Sequence, residues 1–142
     1  MKSTMHAVAA RTHVSPGRGG WRTELVRCLP RLREALERER AFRVEQLSSM
    51  AMMGPARRDG ACTTADIARA QVDEQVAAGA GRALADIETA LMAIRTGRYG
   101  RCAGCDEEIA VEVLCAVPQT RWCLTCHCRR AEQRRMSSGH GA

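Results

Sequence analysis

Two CxxC pairs, Cys102-Ala-Gly-Cys105 and Cys123-Leu-Thr-Cys126, stand seventeen residues apart in the C-terminal third of the chain. Each pair can turn two thiolates toward one point, and two such turns facing each other supply four soft ligands, the tetrahedral set that a structural Zn2+ prefers. With every position filled by protein, none is left for water or substrate. The metal expected at Cys102, Cys105, Cys123 and Cys126 therefore holds a fold together and does no catalysis. The segment carrying these residues is about thirty residues long, too short to bury a sufficient core without its metal. His127 and Cys128 adjoin Cys126 but are not needed as ligands, because the matched pairs complete the set.

Cys28, Cys62 and Cys115 are scattered and read as ordinary small side chains rather than a redox centre; for Cys62, near the tip, a thiol switch is the alternative reading. Eight cysteines could mark a secreted disulfide scaffold. However, the first twenty residues hold no apolar run of signal-peptide length, and no segment could span a bilayer. The expectation is a cytoplasmic protein whose reduced thiols bind metal.

Upstream of the cysteines the chain is patterned for helices. Leu25, Leu29, Leu32 and Leu36 recur at spacings of four, three and four, and Val44, Leu47 and Ala51 resume the stripe. Pro30 interrupts it, so this helix either begins near Pro30 or is kinked there. Gly54-Pro55 ends the segment. A second helix is expected from about Thr64 to Thr96, with Ala80, Leu84, Ile87, Leu91 and Ile94 forming a coiled-coil seam and Gly97 its C-cap. Two such arms joined by a short loop fold back as an antiparallel hairpin, a rod about 45 Å long. The scarcity of large aromatic residues, with one Phe, one Tyr and two Trp, suits narrow helical packing better than a thick globule.

The organisation that follows is a flexible tail over 1–22, a coiled-coil hairpin over 23–97 with its tip at about 55–68, a cysteine module and terminal helix over 98–135, and a flexible tail over 136–142. Within the module, Ile109-Ala-Val-Glu-Val-Leu114 suits a strand of a ribbon, and Arg129 to Arg135 a short helix. The fold class is mainly α, an antiparallel two-helix coiled-coil hairpin with a C-terminal four-cysteine zinc ribbon and a short terminal helix.

Gly97-x-Tyr99-Gly100-x-Cys102-x2-Cys105, followed by Ile109, Pro118 and Cys123-x2-Cys126, resembles the DksA/TraR family of bacterial transcription factors over roughly residues 23–135. The resemblance implies a regulator that binds RNA polymerase as a monomer, places its hairpin tip in the secondary channel and modulates initiation within the stringent response, without specific DNA binding or a membrane. It also implies a tip motif of pattern DxxDxA. Asp66 and Ala68 match its second aspartate and its alanine, whereas Thr63 replaces the first aspartate. The positions where relatives place basic residues for the alarmone ppGpp hold Asp86, Val117 and His127, so dependence on ppGpp is not expected.

Thr63-x-x-Asp66 also has the form of a capping box, which gives Asp66 a structural role of its own. Arg57 and Arg58 beside the tip, and Arg129 and Arg130 after the last cysteine, are candidate polymerase contacts; each also suits a solvated surface. A net charge of +6 leaves one competing class open, a zinc-ribbon protein that grips nucleic-acid phosphates with its arginines. An enzyme is not expected. No carboxylate pair, nucleophile–base set or glycine-rich phosphate loop is present, and the metal site is closed.

Overall fold

A computed structural model describes residues 18–53 and 60–139. Among the described residues four helices follow one another: α1 (Arg18–Met53), α2 (Thr64–Thr96), α3 (Val111–Ala116) and α4 (Leu124–Ser138). α1 and α2 pack together as the hairpin, with arms of about 54 and 50 Å at 1.5 Å per residue. α3 lies against α1. None of these helices is long and apolar enough to cross a membrane.

The buried residues explain the arrangement. Leu25, Leu32 and Leu36 of α1 meet Ile87, Ala90 and Leu91 of α2, and the same cluster continues into Tyr99, Ile109, Val111 and Leu114 of the cysteine module. The base of the hairpin and the module thus share one core. The α2 seam matches the pattern expected for it, with Ala80, Ile87 and Leu91 buried and Leu84 and Ile94 half-buried. On α1 the stripe is buried only as far as Leu36. Val44 and Ala51 are exposed, and on α2 every residue before Ala80 is likewise half-buried or exposed.

Pro30 neither starts nor ends α1, which runs continuously through it. Pro30 and Val26, the residue whose carbonyl it cannot serve, both lie on the exposed face, where water can replace the missing partner. The helix also starts earlier than the expected boundary at residue 23. Trp21 takes part in the packing and extends the leucine stripe by one turn. At the other end, α4 begins immediately after Cys123 and includes Met136, Ser137 and Ser138, residues expected to be frayed.

The strand expected over Ile109–Leu114 is absent. Residues 111–116 form α3 instead, and among the described residues only an isolated antiparallel bridge, Arg101 to Glu108, remains of the ribbon. Helical spacing places Val111 and Leu114 on one face, and both are buried, at 4% and 0% exposure. Burying that face against α1 outweighs the β preference of the valines. Part of the expected tip, including Arg57 and Arg58, lies outside the described residues; Thr63, Asp66 and Ala68 lie within them.

Candidate metal centre

Gly97 closes α2 in the left-handed conformation, φ 72°, and gives its N–H to the carbonyls of Ala93 and Ile94. Tyr99 is then buried, and its hydroxyl donates to the Pro118 carbonyl at 2.8 Å. That bond ties the first cysteine turn to the approach of the second. Gly100 (φ 88°) sits under the Trp21 ring so closely that a Cβ would lie 2.9 Å from Cζ2. The indole Nε1 of Trp21 meanwhile donates to the Ile109 carbonyl at 2.8 Å. The first helical turns of α1 therefore hold the module in place.

The first knuckle is closed by backbone bonds from Cys102 N–H to the Glu107 carbonyl and from Asp106 N–H to the Cys102 carbonyl, each 2.9 Å, with Asp106 at φ 59°. Ala103 N–H reaches the Arg121 carbonyl at 2.8 Å and joins the two knuckles. Gly104 leaves room for the second, since a Cβ there would meet Cys126 Sγ at 3.1 Å and the Trp122 ring at 3.3 Å. Arg130 stacks its guanidinium over the Trp122 ring at 3.9 Å.

This scaffold brings together the Sγ atoms of Cys102, Cys105, Cys123 and Cys126, all within 4.8 Å of one another. Cys105 Sγ and Cys123 Sγ are 3.8 Å apart, the edge expected of a tetrahedron with metal–sulfur bonds of about 2.3 Å. Backbone N–H groups are aimed at the sulfurs: Gly104 and Cys123 donate to Cys102 Sγ at 3.4 and 3.2 Å, and Cys126 donates to Cys123 Sγ at 3.4 Å. The donor set fits a soft, tetrahedral cation, and Cys105, the exposed member, is where it would be reached.

The electrostatics agree. Burial acts to raise the Cys102 thiol, but the N–H groups of Cys123, Cys105 and Gly104 outweigh it and bring its pKa down to about 6. Hydrogen bonding to Cys123 and Cys102 pushes Cys126 up to about 12. Four thiolates cannot be held so close without a cation, which a bound metal would supply. His127 and Cys128 stand outside the set, on α4.

About forty residues upstream, the capping box at the start of α2 is fully formed. Thr63 N–H donates to Asp66 Oδ2 at 2.9 Å, Thr63 Oγ1 donates to the same oxygen at 2.6 Å, and Asp66 N–H donates back to Thr63 Oγ1 at 3.2 Å. The Thr63 hydroxyl, then its backbone N–H, hold the Asp66 carboxyl below the usual carboxylate range. Ala68 is exposed just beyond it on α2. The structure thus separates the predicted residues into a metal cluster at the hairpin base and Thr63, Asp66 and Ala68 at its far end, with Arg129 exposed on α4. Of the positions considered for ppGpp, Asp86 faces Arg121 at 4.0 Å, and Val117 and His127 are exposed.

Trp21 and Trp122 carry the placement of the module and were not singled out from the sequence, where Gly100 figures only as part of the cysteine motif. Trp21 stands four residues before Leu25 and so continues the spacing of Leu25 and Leu29, a signal that was available.

A helical hairpin with a four-cysteine module docked on its base is the DksA-like fold, and the cluster fits a DksA-like zinc finger. The solved structure of transcription factor DksA2 from Pseudomonas aeruginosa superposes with a TM-score of 0.52, covering 83% of this chain and 88% of that one at 19% identity. No family model matches the chain. An uncharacterized protein from Aquifex aeolicus is 49% identical over 43 residues, and that match spans 30% of this chain and 30% of the relative.

Proposed function

We propose that this protein is a non-enzymatic regulator of transcription that binds RNA polymerase, inserts the tip of its hairpin into the secondary channel and modulates initiation. The observation that carries the reading is the likeness to DksA2 over most of both chains, in which a long hairpin is combined with a four-cysteine module. A rigid rod loses less entropy on entering a narrow channel than a loop of equal reach, so a few residues can be delivered far from the docking surface. In this reading Asp66 and Ala68 act at the tip, with Thr63 in place of a first carboxylate, and ppGpp is not required.

Cys102, Cys105, Cys123 and Cys126 would hold Zn2+. When bound, the ion supplies four bonds that lock the two knuckles together. The protein's own residues do the rest: Tyr99 and Trp21 orient the module, the N–H groups prepare Cys102 for charge, and Arg129, with Arg130 on Trp122, presents cations toward an acidic polymerase rim. Arg57 and Arg58 belong to the same proposal.

The zinc-loaded, folded protein should co-purify with RNA polymerase core at micromolar concentration. Asp66→Asn should retain that binding while changing transcription in vitro, equally with and without ppGpp. No binding to core sinks the assignment. A steep fall of DNA affinity with salt, seen without polymerase, would instead favour a zinc-ribbon nucleic-acid binder acting through its basic residues.

A further inference from the structure

The two ligand pairs sit on separate turns, and the contacts between those turns decide whether the four sulfurs stay together. Backbone bonds supply part of the joint: Ala103 N–H donates to the Arg121 carbonyl at 2.8 Å, and Cys123 N–H donates to Cys102 Sγ at 3.2 Å. The rest is a side chain. Trp122 immediately precedes Cys123 of the second pair, yet its half-buried ring lies against the first. A Cβ at Gly104, between Cys102 and Cys105, would stand 3.3 Å from Cζ3 and 3.4 Å from Cε3 of the indole, and 3.1 Å from Cys126 Sγ.

The ring is itself held. Thr120 grips the Trp122 backbone, its hydroxyl accepting from the Trp122 N–H at 3.4 Å and donating to the Trp122 carbonyl at 3.2 Å. Arg130 covers the ring with its guanidinium, 3.9 Å from the centroid. Arg130 stands four residues after Cys126 on α4, about one helical turn, so the helix that supplies a sulfur also supplies the cover. The planar guanidinium suits stacking on an indole face, and the contact strengthens where water is displaced from it.

We propose that Trp122 and Arg130 are positioning residues of the metal centre, a latch that holds the two cysteine turns together and sets how fast a bound metal is given up to a competing ligand. Neither residue offers a ligand atom to the cluster. Trp122 acts through Gly104 on the first turn, and Arg130 fixes Trp122 from the helix that carries Cys126. With the ring in place the edge between Gly104 and Cys126 is shut, and the exposed Cys105 is left as the approach. The latch rests on the reading of the four cysteines as metal ligands and is independent of the polymerase reading.

The test loads the full-length chain with Zn2+, measures how much is bound, and follows its transfer to a chromogenic chelator. Arg130→Gln and Trp122→Ala should release the metal roughly tenfold to a hundredfold faster, the usual effect of removing a partner just outside the ligand set. Arg135→Gln makes the same charge change at an exposed α4 position, and Trp122→Phe keeps a ring for the guanidinium; both should release at close to the original rate. With Co2+ in place of Zn2+, the thiolate absorption bands of Arg130→Gln should match those of the original chain, because its four sulfurs are unchanged. Release from Arg130→Gln no faster than from Arg135→Gln would overturn the latch, as would equal rates for Trp122→Phe and Trp122→Ala. Altered Co2+ bands in Arg130→Gln would overturn it too, by showing that the ligand set itself had been disturbed. If Trp122→Ala does not fold, the two arginine variants decide the matter. A chain that takes up no Zn2+ would overturn the metal reading and the latch with it, whereas a loaded chain whose variants all release alike overturns the latch alone.

Discussion

The hydroxyl of Thr63 works in both directions at the start of α2, donating to Asp66 and accepting from its backbone. Substituting Thr63 by Ala should cost about 1 kcal/mol in stability, the usual worth of an N-cap. The pH dependence has a definite sign. Because the Asp66 carboxyl is held below its ordinary value of 3.8, its contribution is complete above that value and is lost as the pH falls through the depressed one. The stability gap between the original chain and Thr63→Ala, followed by urea denaturation, should therefore be constant near neutrality and shrink on acidification. A gap that grew in acid would mean that Thr63 acts through some other contact. The family resemblance points to this pair as effectors and the spacing points to a cap; the cap is a property of the fold, whatever Asp66 does at a partner.

Among the elements, the joint between α1 and the module is the most sensitive to a single atom. Gly97 and Gly100 both have positive φ, but a Cβ at Gly97 meets nothing within 4 Å, whereas one at Gly100 strikes Trp21. Gly97→Ala should cost only the left-handed penalty, about 1–2 kcal/mol. Gly100→Ala should add overpacking of about 1–3 kcal/mol to the same penalty. Equal losses in denaturation would remove the Trp21 contact from the account. The two arms were legible because leucine, isoleucine and alanine repeat at helical spacing over many turns, and repetition averages out local exceptions such as Pro30. α3 was not legible. Six residues give too short a period to read, and its valines adopt a helix only because Val111 and Leu114 find a buried surface on α1 that lies more than seventy positions away in sequence. The cysteine cluster was fully legible for the opposite reason, since ligand spacing is a local quantity.

For the whole molecule, stability is divided unevenly. The hairpin has its own seam, but the module contributes Tyr99, Ile109, Val111 and Leu114 to the shared core and keeps its knuckles facing only if four sulfurs are neutralised. A metal chelator should melt residues 98–123 and lower the thermal midpoint, while most of the far-ultraviolet helical signal from α1 and α2 persists. Added Zn2+ should restore the midpoint. Simultaneous loss of all helical signal would show that the hairpin cannot stand without the module. The contact between Trp21 and Ile109 also has a consequence for synthesis. During translation α1 emerges first, yet the surface it must close upon is made some ninety residues later. The upper arms can zip by local pairing as soon as α2 appears, but the root of the rod must wait, with its indole uncovered, until the ribosome has released both knuckles. The base of the hairpin is therefore completed after its far end, once the module that accepts the Trp21 bond has been made.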